Sequence, residues 1–230
     1  MLCIGHRGAM GYEPENTLLS IAKALELGVD WIEIDVYNIE NNLLVFHDHD
    51  LSRTTNGTGD ICDRSFDYLR SLDAGKGQQI PTLAEVFDLV NRRCGINIEL
   101  KGSNTAGLVI KLIQEYLEQG WDYEGFLVSS FNHYELKQLK DTCPQIAIGI
   151  LIYGLPLHYL DIATELQAVA IIMNKDFATK EIVQNIHNKG FKIFVYTVNK
   201  PEKIQIMKRW NVDGIFSNYP ERVIGSNTQH

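Results

Sequence analysis

The architecture turns on Trp31-Ile32-Glu33-Ile34-Asp35-Val36-Tyr37-Asn38-Ile39-Glu40-Asn41-Asn42-Leu43-Leu44-Val45-Phe46-His47-Asp48. Two apolar, β-branched runs, Trp31–Tyr37 and Leu43–His47, flank the polar Glu40-Asn41-Asn42 and read as strands. A parallel crossover needs about a dozen residues or more, so this short link dictates an antiparallel hairpin. Folding it about Glu40–Leu43 brings His47 back opposite Asp35 and Val36.

Outward from the hairpin, strand patterns alternate with helical periodicity, the signature of a parallel α/β fold. The other strands read as Leu2–Gly5, Ile96–Lys101, Phe126–Ser130, Ala147–Ile152, Ala168–Met173, Lys192–Thr197 and Gly214–Ser217. Helical stretches read as Thr17–Leu27, Leu83–Arg92, Ala106–Gln119, His133–Thr142, Pro156–Leu166, Lys180–Asn188 and Pro201–Arg209. Asn16 and Thr82 are expected as N-caps, Pro201 in a first turn, and Gly28 and Gly190 as C-caps. Setting Leu43–His47 aside leaves eight strands, which predicts a TIM-like (β/α)8 barrel. Residues 38–80 then form a small insertion after strand two, within a single domain over 1–230 that ends in a polar tail after Ile224.

Composition narrows the function. The 230 residues are 45% hydrophobic and 22% charged, with a net charge of −8 and no basic run, which argues against nucleic acid as a partner. No apolar stretch approaches the ~18 residues of a membrane span, and Gly5-His6-Arg7 interrupts any signal-like N-terminus. Cys3, Cys62, Cys94 and Cys143 lie far apart without a CxxC, as expected of reduced thiols in a cytoplasmic protein.

In an α/β barrel, chemistry sits at the C-terminal ends of strands. There the chain places His6-Arg7, Glu33 with Asp35, His47-Asp48, and Glu99 with Lys101. Residues two apart share a strand face, so three carboxylates converge from two strands. Burying them together is strongly unfavourable unless a cation holds them. Oxygen ligands without cysteine point to Mg2+ or Ca2+, with Mn2+ also compatible. Arg7 and Lys101 against the three acids give −1, which a divalent ion turns to +1, a site that attracts an anion. With two histidines to serve as general acid and base, this describes phosphoryl transfer. No Walker loop or GxGxxG supports a nucleotide reading.

His6-Arg7-Gly8 with Pro14-Glu15-Asn16-Thr17, Glu33-Ile34-Asp35-Val36, Val45-Phe46-His47-Asp48, Pro81-Thr82-Leu83, Glu99-Leu100-Lys101, Ser129-Ser130-Phe131, Thr197-Val198-Asn199 and Asp213-Gly214-Ile215 resemble the glycerophosphodiester phosphodiesterases. The resemblance implies metal-dependent hydrolysis of glycerophosphodiesters to glycerol 3-phosphate and an alcohol. By it, His6 and His47 are the acid/base pair, Glu33, Asp35 and Glu99 hold the metal, and Arg7 and Lys101 bind phosphate. Tyr196 stands where the family usually has Trp and keeps a surface for substrate. Met173-Asn174 and Asn218 also depart from the family pattern, and neither is expected to touch the metal or histidine set. The alternative is a phospholipase D-like enzyme acting on lysophospholipids, for which Leu155-Pro156-Leu157 makes only a small apolar entrance. A non-catalytic phosphodiester-binding barrel leaves both histidines idle, and a metal-dependent aldolase has no need of them. The residues carry no reading of the oligomeric state.

Overall fold

The computed structural model describes residues 1–227. Its main sheet closes on itself. Strands β1 (Leu2–His6) and β2 (Trp31–Ile39) pair in parallel, and β3 (Asn42–Val45) folds back antiparallel on β2. Then follow β4 (Gly95–Leu100), β5 (Phe126–Ser130), β6 (Ala147–Ile152), β7 (Ala170–Asn174), β8 (Lys192–Tyr196) and β9 (Gly214–Ser217), each parallel to its neighbour. β9 pairs with β1, so eight strands form a closed ring and β3 lies outside it.

Helices surround the ring: α1 (Leu18–Leu27), α3 (Leu83–Val90), α4 (Ala106–Leu117), α5 (His133–Thr142), α6 (Tyr159–Glu165), α7 (Lys180–Asn188), α8 (Pro201–Arg209) and α9 (Pro220–Asn227). A further helix, α2 (Phe66–Ser71), belongs to the excursion between β3 and α3. Strand alternation builds two cores. Ile32, Ile34 and Val36 of β2 face the layer under the helices, while Trp31 joins Ile4, Leu127, Phe194 and Phe216 inside the barrel. Beyond the barrel rim, the face of β2 that carries Glu33 and Asp35 turns apolar. Tyr37 and Ile39 pack there with Leu44, Phe46, Leu51, Ile61 and Leu69, a third cluster that seats the excursion on the same strand as the carboxylates.

The structure shifts several expectations. β3 stops at Val45, opposite Val36, and the Phe46 N–H donates to the Asp35 carbonyl at 3.0 Å, so His47 follows just past the pairing. Thr17, not Asn16, caps α1, accepting from the Ser20 N–H at 3.2 Å. Thr82 caps α3 as expected, Pro201 opens α8, and Gly28 takes the left-handed C-cap of α1. The polar tail expected after Ile224 is helical through Asn227, and its last residues, 228–230, lie outside the described chain. In α9 and α2, of eight and six residues, the apolar period has too few turns to register in sequence.

Candidate active site

Immediately after β1 the backbone turns left-handed at Arg7 (φ 51°) and Gly8 (φ 78°). A Cβ at Gly8 would lie 2.5 Å from Ser20 Oγ on α1, so glycine is required where the turn presses on the helix. The turn aims the Arg7 N–H at Glu33 Oε2, 2.9 Å away. Strand register does the rest, setting His6 beside Glu33 and Asp35 beside Glu99.

All the sequence-predicted residues meet at one barrel mouth: His6, Arg7, Glu33, His47, Glu99, Lys101 and Tyr196 line a single pocket, and Asp35 lies buried beneath it. Lys101 Nζ donates to Glu99 Oε1 at 3.0 Å and lies 3.9 Å from Asp35 Oδ1. Arg7 Nε stands 3.4 Å from Asp35 Oδ2. Tyr196 donates its hydroxyl to the Ile152 carbonyl at 3.0 Å, and its ring meets Phe131 edge-on. Phe131, Leu151 and Phe216 complete an apolar wall that sequence reading did not single out.

Other partners also escaped sequence reading. Asn16 is buried with φ 57°, donates Nδ2–H to Asp35 Oδ2 at 2.9 Å and accepts from the Asp35 N–H. Asn218, expected to leave the histidines untouched, lies against one of them: its Oδ1 is 2.7 Å from His6 Nδ1. β9 leads directly to this residue, so strand-end position was the available signal. His47 Nδ1 lies 2.5 Å from Asp48 Oδ1.

Among the described residues, two groups of metal-ligating side chains cluster. His49, Asp60 and Cys62 are exposed on the excursion, whereas Glu33, Asp35 and Glu99 sit in the barrel mouth. In the latter, ligand oxygens lie within 4.8 Å of one another. Burial, then Asp35 and Glu99, push Glu33 well above the usual carboxylate range. Burial and Glu99 push Asp35 up to about 6, against the pull of Arg7. Asp35 Oδ1 is buried without a hydrogen-bond partner. An orphaned anionic acceptor among mutually repelling carboxylates fits a hard divalent cation, with Glu33, Asp35 and Glu99 as its oxygen ligands. Lys101 keeps its charge because Glu99 and Asp35 outweigh the cost of its burial.

The histidines have different surroundings. Burial, then Arg7, hold His6 down to about 3, and its Nδ1 faces a neutral amide. Burial also lowers His47, but Asp35 and the hydrogen bond to anionic Asp48 pull the other way.

A closed (β/α)8 barrel with carboxylates, histidines and cationic side chains gathered at its C-terminal mouth has the donors that a barrel hydrolase of phosphate esters needs. The model of the glycerophosphoryl diester phosphodiesterase family matches residues 6–222. The chain belongs to this family and is a glycerophosphodiester phosphodiesterase. It is 35% identical to the glycerophosphodiester phosphodiesterase of Caldanaerobacter subterraneus subsp. tengcongensis, covering 97% of this chain and 96% of that one. It is also 35% identical to the Bacillus altitudinis enzyme of that name, over 95% of each chain. A phosphodiesterase from Oleispira antarctica, solved with the product sn-glycerol-3-phosphate, superposes with a TM-score of 0.91 at 31% identity, over 98% of this chain and 96% of that one. The glycerophosphodiester phosphodiesterase from Agrobacterium tumefaciens gives a TM-score of 0.82 at 26% identity, over 96% and 98%.

Proposed function

We propose that this chain hydrolyses glycerophosphodiesters to glycerol 3-phosphate and an alcohol in a metal-dependent reaction with histidine acid/base catalysis. One observation carries the reading: three carboxylates converge beneath Arg7 and Lys101, with one histidine facing a neutral amide and the other a carboxylate. A divalent cation held by Glu33, Asp35 and Glu99, as Mg2+, Ca2+ or Mn2+, supplies Lewis-acid stabilisation of phosphate charge.

The chain's own groups do the rest. Arg7 and Lys101 take the phosphate oxygens, which bear most of the negative charge as the bond breaks. With its Nδ1–H donated to Asn218 Oδ1, His6 presents an unprotonated Nε2 and stays neutral because burial and Arg7 disfavour its cation. It suits the base that takes the proton of the attacking hydroxyl. His47, whose cation burial disfavours but Asp35 and Asp48 favour, has the carboxylate partner that His6 lacks and suits the acid that protonates the leaving alkoxide. Tyr196 and Phe131 offer an aromatic wall to the rest of the substrate. All four cysteines are free, which suits the reducing cytoplasm as the place of work.

The test is turnover of glycerophosphocholine beside lysophosphatidylcholine, with and without divalent metal. The expected outcome is glycerol 3-phosphate and choline from the first, loss on chelation, and rescue by a hard cation. His6→Ala and His47→Ala should each lower kcat/KM at least ~100-fold. Full activity after exhaustive chelation would overturn the metal assignment.

A further inference from the structure

The excursion between β3 and α3 sends one arginine back to the barrel mouth. Arg53, at the end of a 3-10 turn spanning Leu51–Arg53, donates through both terminal nitrogens to Glu15, NH2 to Oε1 at 2.7 Å and NH1 to Oε2 at 2.8 Å. Its Nε donates to Asp48 Oδ2. Glu15 Oε1 also accepts from Arg7 NH1 at 2.6 Å, and Asp48 Oδ1 accepts from His47 Nδ1. A continuous strut of alternating charge, Arg7, Glu15, Arg53, Asp48 and His47, thus joins the end of β1 to the residue just past β3. It sums to zero with His47 neutral, and each carboxylate oxygen is engaged.

Because Arg53 holds Asp48 as a carboxylate, that group can only accept, so the hydrogen must sit on His47 Nδ1. The remaining ring nitrogen, Nε2, is left for proton transfer. Orienting one ring nitrogen by a buried or clamped carboxylate is how an imidazole is held in its working tautomer. At the other end Glu15 restrains NH1 of Arg7 while Nε faces Asp35, which sets the plane of the guanidinium.

We propose that Glu15 and Arg53 are positioning residues: the pair sets the tautomer and ring orientation of His47 through Asp48 and aligns Arg7 with it. The excursion is then the carrier of Arg53. The roles of His47 and Arg7 rest on the function proposed above, while the tautomer does not.

The experiment is nitrogen-15 NMR of the His47 ring in the full chain, with the metal present and the ring neutral, alongside steady-state kinetics. The unsubstituted chain should show the Nδ1–H tautomer alone. Arg53→Met should give a mixture of tautomers and lower kcat/KM at least ~10-fold, the scale seen when a supporting partner is removed. Arg53→Lys, which restores the charge but cannot fork to two carboxylates, should recover the tautomer further than the rate. Glu15→Gln should raise KM more than it lowers kcat, and Glu15→Gln with Arg53→Met should lose no more than the worse single change, as members of one unit do. A single Nδ1–H tautomer and a kcat/KM within about twofold of the parent in a folded Arg53→Met chain would overturn the proposal. If that variant fails to fold, an unaltered tautomer and rate in Arg53→Lys decide against it equally. An unsubstituted chain that turns over no glycerophosphodiester would defeat the functional reading and leave the tautomer measurement standing.

Discussion

Asp35 has no exposed surface, yet its side chain and N–H make four polar contacts: Asn16 Nδ2 at 2.9 Å, the reverse bond from its own N–H to Asn16 Oδ1, Arg7 Nε at 3.4 Å and Lys101 Nζ at 3.9 Å. Asn16 is the uncharged member, so it orients the carboxylate without competing for it with the cation proposed above. Removing it as Asn16→Ala should weaken divalent binding ~10–100-fold, read by isothermal titration, with far-ultraviolet circular dichroism unchanged. Unaltered affinity would reduce Asn16 to a packing residue. In sequence this asparagine is indistinguishable from a helix cap, since Asn and Thr at the start of a helix have similar preferences. The left-handed turn and the carboxylate behind it decide the matter, and both come from elements elsewhere in the chain. The charged set was legible because charge at the end of an apolar strand is rare. Asn16 and Asn218 were not, because a neutral amide carries no such contrast.

At the scale of elements, α3 begins where the excursion rejoins the barrel. Thr82 Oγ1 accepts from the Glu85 N–H at 3.2 Å, Glu85 Oε2 accepts from the Thr82 N–H at 2.7 Å, and Arg70 of α2 donates to both Glu85 oxygens. Thr82→Ala should cost about 1 kcal/mol and lower Tm by roughly 2–4 °C, measured by differential scanning calorimetry. A larger loss would show that the cap also supports the docking of α2. This cap was legible because a Thr stands directly before an apolar helical run, and the barrel strands were legible because their outward faces are dense in Ile and Val. An insertion at this place was expected, but its internal structure was not legible, because its turns and single short helix are held by contacts to β2 and α3 rather than by any period of their own.

For the molecule as a whole, the barrel mouth ties stability to protons and, under the proposed assignment of Glu33, Asp35 and Glu99, to metal as well. Glu33 and Asp35 are raised above their unfolded values, so without metal the folded chain holds extra protons, a contribution present at low pH and lost as pH rises through the folded values, about 6 for Asp35. His6 runs the other way: its folded value is lowered from 6.5, so the unfolded chain takes up the proton and stability falls as pH drops below that point. A melting curve mixes the two, whereas metal affinity isolates the carboxylates, because a cation must displace their protons. Affinity at about pH 7.5 should exceed that at about pH 5 by at least ~10-fold, with proton release visible in buffers of different ionisation enthalpy. Affinity independent of pH would mean the acids are already ionised without metal. A closed barrel also has no strand edges, and the hairpin reintroduces one at β3. That edge is occupied: the Val45 N–H donates to the Pro81 carbonyl at 2.8 Å, and Leu44 bridges antiparallel to Thr82. Pro81 has no N–H to offer a further strand. The extra strand that leads to His47 is thereby denied as a template for neighbouring molecules, and the chain carries its hairpin without the aggregation hazard that an uncovered edge brings.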